Sequence, residues 1–211
     1  MITKPPRIND SQKTREDILA VALEEFSTHG LAGARVDTIA ARTKTTKRMI
    51  YYYFKDKEGL YLATLERAYA EIREAEERLD TTDLSPSEAI RRIVEFTFDY
   101  NEAHTGFTRM VGMENIHFAR LLKTSAITAT ISEGILARLK QILSDGRRLG
   151  SFRRTVSPLD LHMLITSFCY FRISNQHTFE LVFAVKLRAP ATRRRHRAMA
   201  CDAVLAYLTS A

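Results

Sequence analysis

Between Thr45 and Leu65 the chain reads TTKRMIYYYFKDKEGLYLATL, which sets Lys47, Arg48, Lys55 and Lys57 around the run Tyr51, Tyr52, Tyr53. From Arg42 to Lys57 the cations Arg42, Lys44, Lys47, Arg48, Lys55 and Lys57 face one carboxylate, Asp56. Cations and phenols crowded into so short a stretch suit a polyanion. Lys47 and Arg48 can reach guanine O6 and N7, and Met49 offers apolar contact to a thymine methyl. Hydroxyls such as those of Tyr51 and Tyr53 suit phosphate oxygens, and Lys57 adds a charge beside the free N–H groups of a helix start.

Such groups work only if a scaffold presents them on one face. Upstream, VDTIAART places Val36, Ile39 and Ala40 on one side at helical spacing and runs into a Thr/Lys/Thr turn. Thr46 is an N-cap for a second short helix starting at Lys47, and its position also suits a phosphate contact. With Ile50 and Phe54 turned inward at about 100° per residue, Arg48 and Tyr52 point away, Lys47 and Tyr51 lie on one flank and Met49 on the other. Short helix, tight turn, short helix describes a helix-turn-helix, and the chemistry is that of a DNA groove.

Residues Thr45 to Leu60 resemble the motif small-Val-Ser-x-x-x-Leu-Tyr-x-Tyr/His-Phe-x-x-Lys-Glu-x-Leu of the Tet repressor family, and TREDILAVALEEFSTHGLAGARVDTIA, Thr14 to Ala40, resembles that family's first two helices with their glycine turn. The resemblance implies a three-helix DNA-binding domain in which Lys47, Arg48 and Met49 face base edges and Tyr51, Tyr53 and Lys57 contact phosphate, with Tyr52 serving either. This chain departs from the pattern at the turn, where the family's glycine is replaced by Lys44. A side chain there requires either a positive φ or a different turn.

With 211 residues, 45% of them hydrophobic, the chain can bury a substantial core. The formal charge of +7 is concentrated on the reading segment. Cys169 and Cys201 sit in apolar helical contexts without ligand spacing and read as free buried thiols. No apolar leader follows Met1 and no run approaches membrane-spanning length, so a cytoplasmic protein without membrane contact is expected. Met1 to Asp10 reads as an arm whose Lys4 and Arg7 could approach a minor groove.

The spacing predicts an all-α protein with an N-terminal helix-turn-helix domain over residues 1–57 and a larger helical body over 58–211, which the resemblance implies is an effector-binding and dimerisation domain. The first helix runs from about Ser11 to His29 and stops at Gly30; a long helix from Asp56 to about Leu79 links head to body. Further helices are expected at Pro86 to His104, Phe107 to Leu122, Ser125 to Leu149, Pro158 to Gln176 and Thr192 to Thr209, with a short one within Thr178 to Leu187. RRRHR, Arg193 to Arg197, reads as solvent-exposed charge. No metal, phosphate-loop or nucleophile-base spacing is present, so neither a cofactor nor a metal is expected and no residue is assigned a catalytic role.

Helical bundles bind ligands between facing helices. Phe107, Met110, Met113, Glu114, His117 and Phe118 in one stretch, and Phe168, Phe171, Arg172 and Asn175 in another, would accept a small, partly aromatic or acidic effector if the two segments met. The segments ENIHFARLL and FRISNQHTF resemble the effector domain of the family's pyrimidine- and nicotinate-responsive branch. The resemblance also implies a homodimer joined through the last two long helices, with Leu161, Leu164, Ile165, Phe168, Met199, Val204, Leu205 and Leu208 at its centre. A repressor released from a palindromic operator by its effector is the leading reading. An architectural DNA-binding protein whose body contacts other proteins is the alternative, and a helical enzyme using His104, His117 and Glu114 is a distant third.

Overall fold

The structure is a computed structural model that describes residues 7–129 and 133–210. Lys4 lies outside them. Arg7 to Asp10, expected as part of a flexible arm, begin the first helix. The described residues form helices, turns and two short 3₁₀ segments, and fall into two compact units. Where the spacing suggests a single cut after Lys57, the first unit comprises the chain up to Glu71 together with Arg109–Thr128, and the second comprises Ile72–Thr108 with the remainder.

The first unit contains α1 (Arg7–Gly33), α2 (Val36–Arg42), α3 (Lys47–Phe54), the start of α4 (Lys57–Glu77) and most of α6 (Thr105–Ile116). Ile18, Ala22 and Phe26, four apart on α1, meet Ile39, Ile50, Phe54, Leu60, Tyr61, Leu65 and Met110 in one core. The Phe26 and Tyr61 rings meet edge to face with centroids 5.1 Å apart. Burying each large side chain contributes about 1.5–3 kcal/mol, which fixes α3 against α1 although eight residues would not hold a helix alone. Gly30, the expected stop, has φ 66° and ψ 176° and interrupts α1, which resumes for one turn to Gly33.

The turn between α2 and α3 takes the positive-φ course: Lys44 has φ 51°, and the Thr45 N–H closes onto the Ala40 carbonyl at 3.1 Å. An L-residue in the left-handed region carries about 1–2 kcal/mol of strain that glycine lacks. Lys44→Gly is therefore expected to raise stability by about 1 kcal/mol, roughly 2–4 °C in melting temperature, and the β-branched Lys44→Val to lower it. Thermal denaturation followed by circular dichroism reads both, and a melting temperature equal in all three proteins would contradict the assignment of strain.

The second unit packs α5 (Pro86–Ala103), α7 (Glu133–Arg148), α8 (Pro158–Ser174), α9 (Gln176–Phe183) and α10 (Pro190–Thr209). Two starts are written locally: Ser85 and Glu88 form a reciprocal capping box ahead of Pro86, and Ser157 caps α8 ahead of Pro158. Ile90, Ile93, Leu139, Ile142, Leu161, Ile165, Val204 and Leu208 fill its core. Cys169 and Cys201 are free and buried, and burial, with Cys201 next in effect, pushes the Cys169 thiol up to about 12.

Two helix boundaries need correction. The stretch from Phe107 to Leu122 does not stay helical: α6 ends at Ile116, and Phe118 and Ala119 both adopt positive φ, at 57° and 55°. The long helix expected from Ser125 begins only at Glu133. Of the residues expected at a dimer centre, Leu161, Ile165, Val204 and Leu208 are buried in the chain's own core, and Leu164, Phe168 and Leu205 are half-buried against it. Only Met199 of that set stands exposed. The apolar side chains that α8 and α10 leave to solvent are instead Leu159, Met163 and Phe171 with Met199 and Tyr207.

Candidate nucleic-acid interface and effector residues

The helix α3 starts where Thr46, extended at φ −111° and ψ 151°, accepts the Met49 N–H on its hydroxyl at 3.2 Å. Such a cap satisfies one orphan donor and is worth about 1 kcal/mol. Ile50 and Phe54 are buried, whereas Lys47, Arg48, Met49 and Tyr52 are exposed, Tyr52 at 78%. The outward face of α3 is thus the cationic and aromatic one.

Neighbouring groups set the poise of each side chain. Lys47 pairs with Asp37 of α2 at 3.1 Å, an exposed contact that a phosphate or a base edge can replace at little cost. Tyr53 shares a hydrogen bond with Ser11 at 3.1 Å, and Tyr51 is half-buried against the core. The Tyr53–Ser11 hydrogen bond is exposed, so that hydroxyl stands at the surface. At the exit of α3, Lys55 has φ 67° and ψ −59°, and the Asp56 N–H reaches back to the Phe54 carbonyl at 2.8 Å, a γ-turn. Asp56 then caps α4 by accepting the Gly59 N–H at 2.7 Å, and Lys57 Nζ donates to the Ala32 carbonyl at 3.1 Å. Lys57 therefore stands beside a capped helix start with its ammonium tethered to the last turn of α1.

The ten residues expected to line an effector pocket divide between the units. Met113, Glu114 and His117 line one cleft of about 680 Å³ within the first unit, together with Thr28 to Ala32, Glu58, Tyr61, Arg120 and Leu121. Met110 is core beneath, Phe118 is 83% exposed on the left-handed turn, and Phe107 belongs to the second unit. Spacing alone gave no sign of Tyr61, which comes from α4, or of Arg120, which the turn after α6 brings to the cleft.

Phe168, Phe171, Arg172 and Asn175 lie in the second unit and do not converge on that cleft. Arg172 is 4% exposed and its guanidinium pairs with Glu102 of α5, donates to the Leu187 carbonyl and to His196 Nδ1, and lies 4.7 Å over the Phe98 ring. Burial, with Arg193 and Arg188 next, lowers its pKa to about 10. An arginine so neutralised is not open to an acidic ligand. The RRRHR cluster is likewise only partly solvent-facing, since Arg193 pairs with Asp99 and Glu102, and Arg197 with Glu95 at 2.8 Å and Asp99 at 3.0 Å. Arg194 and Arg195 remain exposed.

Comparison with known proteins agrees with this architecture. Residues 18–64 match the family described as bacterial regulatory proteins, tetR family, and residues 86–204 match the tetracyclin repressor-like C-terminal domain. The chain is 34% identical over 181 residues to the HTH-type transcriptional repressor NicS of Pseudomonas putida, covering 86% of this chain and 85% of that one. It is 31% identical to the HTH-type transcriptional regulator RutR of Escherichia coli, over 56% of this chain and 57% of that one. The solved structure of a transcriptional regulator, SCO4942 of Streptomyces coelicolor, superposes with TM-score 0.66 at 29% identity, over 90% of this chain and 96% of that one. The chain belongs to the tetR family and is a DNA-binding transcriptional regulator.

Proposed function

We propose that this regulator is a homodimeric repressor that reads a palindromic operator through α3 and leaves it when a small molecule binds. The observation that carries the reading is the division of α3, with Ile50 and Phe54 committed to the core and Lys47, Arg48, Met49 and Tyr52 turned to solvent. Lys47, Arg48, Met49 and Tyr52 are assigned to base edges, and Thr46, Tyr51, Tyr53 and Lys57 to phosphates. A single head of this size covers too little DNA for specificity, so two copies read half-sites roughly 34–36 Å apart. The exposed Leu159, Met163, Phe171, Met199 and Tyr207 of α8 and α10 supply apolar surface for that pairing. The effector acts by binding the DNA-incompetent state more tightly; equal affinity for both states would shift nothing.

The protein is assigned to the cytoplasm, where its operator is; among the described residues no helix is long and apolar enough to cross a membrane. The competing reading, an architectural factor whose body contacts other proteins, draws on the exposed Leu181, Val182 and Phe183 of α9.

A salt titration tests the phosphate assignment. Lys57→Ala is expected to weaken binding to every duplex by a similar factor and to reduce the slope of log K against log salt by about one, the loss of one released counterion. An unchanged slope would remove Lys57 from the interface.

A further inference from the structure

The cleft in the first unit is built around a buried carboxylate. Glu114, 5% exposed, is held at its floor by the Leu122 N–H at 3.1 Å and by the buried Tyr61 hydroxyl, whose ionisation burial and the Glu114 carboxylate oppose. At the rim, Arg120 is taken up by Glu58 at 2.9 Å. The lining thus holds two carboxylates, the imidazoles of His29 and His117, and one guanidinium that Glu58 engages and Glu114 also attracts. Met113, Leu31 and Leu121 give the walls an apolar character, and about 680 Å³ is the size of an ordinary small-molecule site.

The other wall is the C-terminal end of α1, which leads to the reading head. Thr28 to Ala32 line the cleft and include Gly30 at φ 66°, with the Met113 sulfur 3.6 Å from where a Gly30 Cβ would stand. The Ala32 carbonyl in this wall is the acceptor of Lys57 Nζ, and α2 begins at Val36. An occupant seated on Glu114 would therefore lie against the end of α1 and the tether of Lys57.

We infer that this cleft is an effector site inside the DNA-binding unit, taking a small organic cation or N–H-rich heterocycle whose charged or donor end meets Glu114 and whose apolar body lies along Met113, Leu31 and Leu121. The inference rests on the effector-responsive reading above and deepens it, placing the switch beside the reading head and giving the ligand the opposite charge to the acidic one expected from Arg172.

Benzylammonium and benzoate, matched in shape and opposite in charge, serve as probes of the full-length protein by ligand-observed NMR. Benzylammonium is expected to bind saturably in the millimolar range or tighter, as suits so few heavy atoms, with benzoate at least tenfold weaker. Glu114→Gln, isosteric and checked for an unchanged melting curve, should weaken benzylammonium at least tenfold. Arg120→Ala, which frees Glu58, should tighten it several-fold, whereas a site for acids would respond with the opposite sign. Equal binding of the two probes, no saturable benzylammonium binding, or indifference to both substitutions overturns the site. Operator affinity measured with and without the probe separates this from the repressor reading: binding at Glu114 without any change in operator affinity contradicts effector release alone, and release by an effector indifferent to Glu114→Gln contradicts the site alone.

Discussion

Glu102→Gln is expected to lower the stability of the protein by about 3–5 kcal/mol, roughly 6–20 °C in melting temperature. The carboxylate of Glu102 is the main counter-ion of the buried Arg172 and also faces Arg188 at 3.6 Å and Arg193 at 3.8 Å. Through it α5, α8, the segment after α9 and the start of α10 are drawn to one point. Gln preserves the shape and its amide oxygen can still accept one guanidinium N–H, but the adjacent negative charge is lost, leaving the buried Arg172 a carbonyl, an imidazole nitrogen, the Phe98 face and the weaker pull of Glu180. An uncompensated buried charge is far more harmful than the pair is beneficial, because desolvation is no longer offset by attraction. The double change Glu102→Leu with Arg172→Met should accordingly recover most of the loss. Calorimetry of the three proteins decides, and a single variant that melts within a degree or two of the parent would show that the pair does not anchor this unit.

Arg48→Ala is expected to cut the preference for operator over scrambled duplex by roughly 5- to 150-fold, the range of about 1–3 kcal/mol for one well-placed base contact. Arg48 is exposed, opposite the buried Ile50 on α3, and has no role in the core, so the fold should be unaffected. Its loss should differ in kind from that of Lys57→Ala. A lost phosphate contact weakens all duplexes alike, whereas a lost base contact relaxes the sequence preference at one position of each half-site. Competition binding at fixed salt measures the ratio, and an Arg48→Ala protein as selective as its parent would place Arg48 outside the groove.

What could be read from the sequence was local. The sides of α3 follow from the 3.6-residue period and two apolar anchors, the starts at Pro86 and Pro158 from a serine before a proline, and the break at Gly30 from a residue that alone tolerates its φ cheaply. What could not be read was non-local or ambiguous in type. Phe118 and Ala119 are compatible with a helix, so nothing in their chemistry announced a left-handed turn after Ile116. Leu161, Ile165, Val204 and Leu208 are apolar whether a residue of the same chain or a second copy covers them, and period alone cannot say which. The Arg172–Glu102 pair joins residues 70 apart in sequence, and the Glu114 cleft draws on α1, α4 and α6 at once. Only the folded chain shows that Arg172 is enclosed by partners of its own unit while Glu114, though hydrogen-bonded, lines a cleft.

The central claim is that the outward face of α3 lodges in the major groove, once per protomer. Selection from a randomised duplex library, with the parent, Arg48→Ala and Lys57→Ala proteins run side by side, tests it most directly. The expected outcome is a palindromic consensus with half-sites one helical turn or a multiple of it apart, the same consensus recovered more weakly by Lys57→Ala, and degeneracy at one symmetric pair of positions for Arg48→Ala. An identical consensus from all three proteins, or no consensus from the parent, would contradict it.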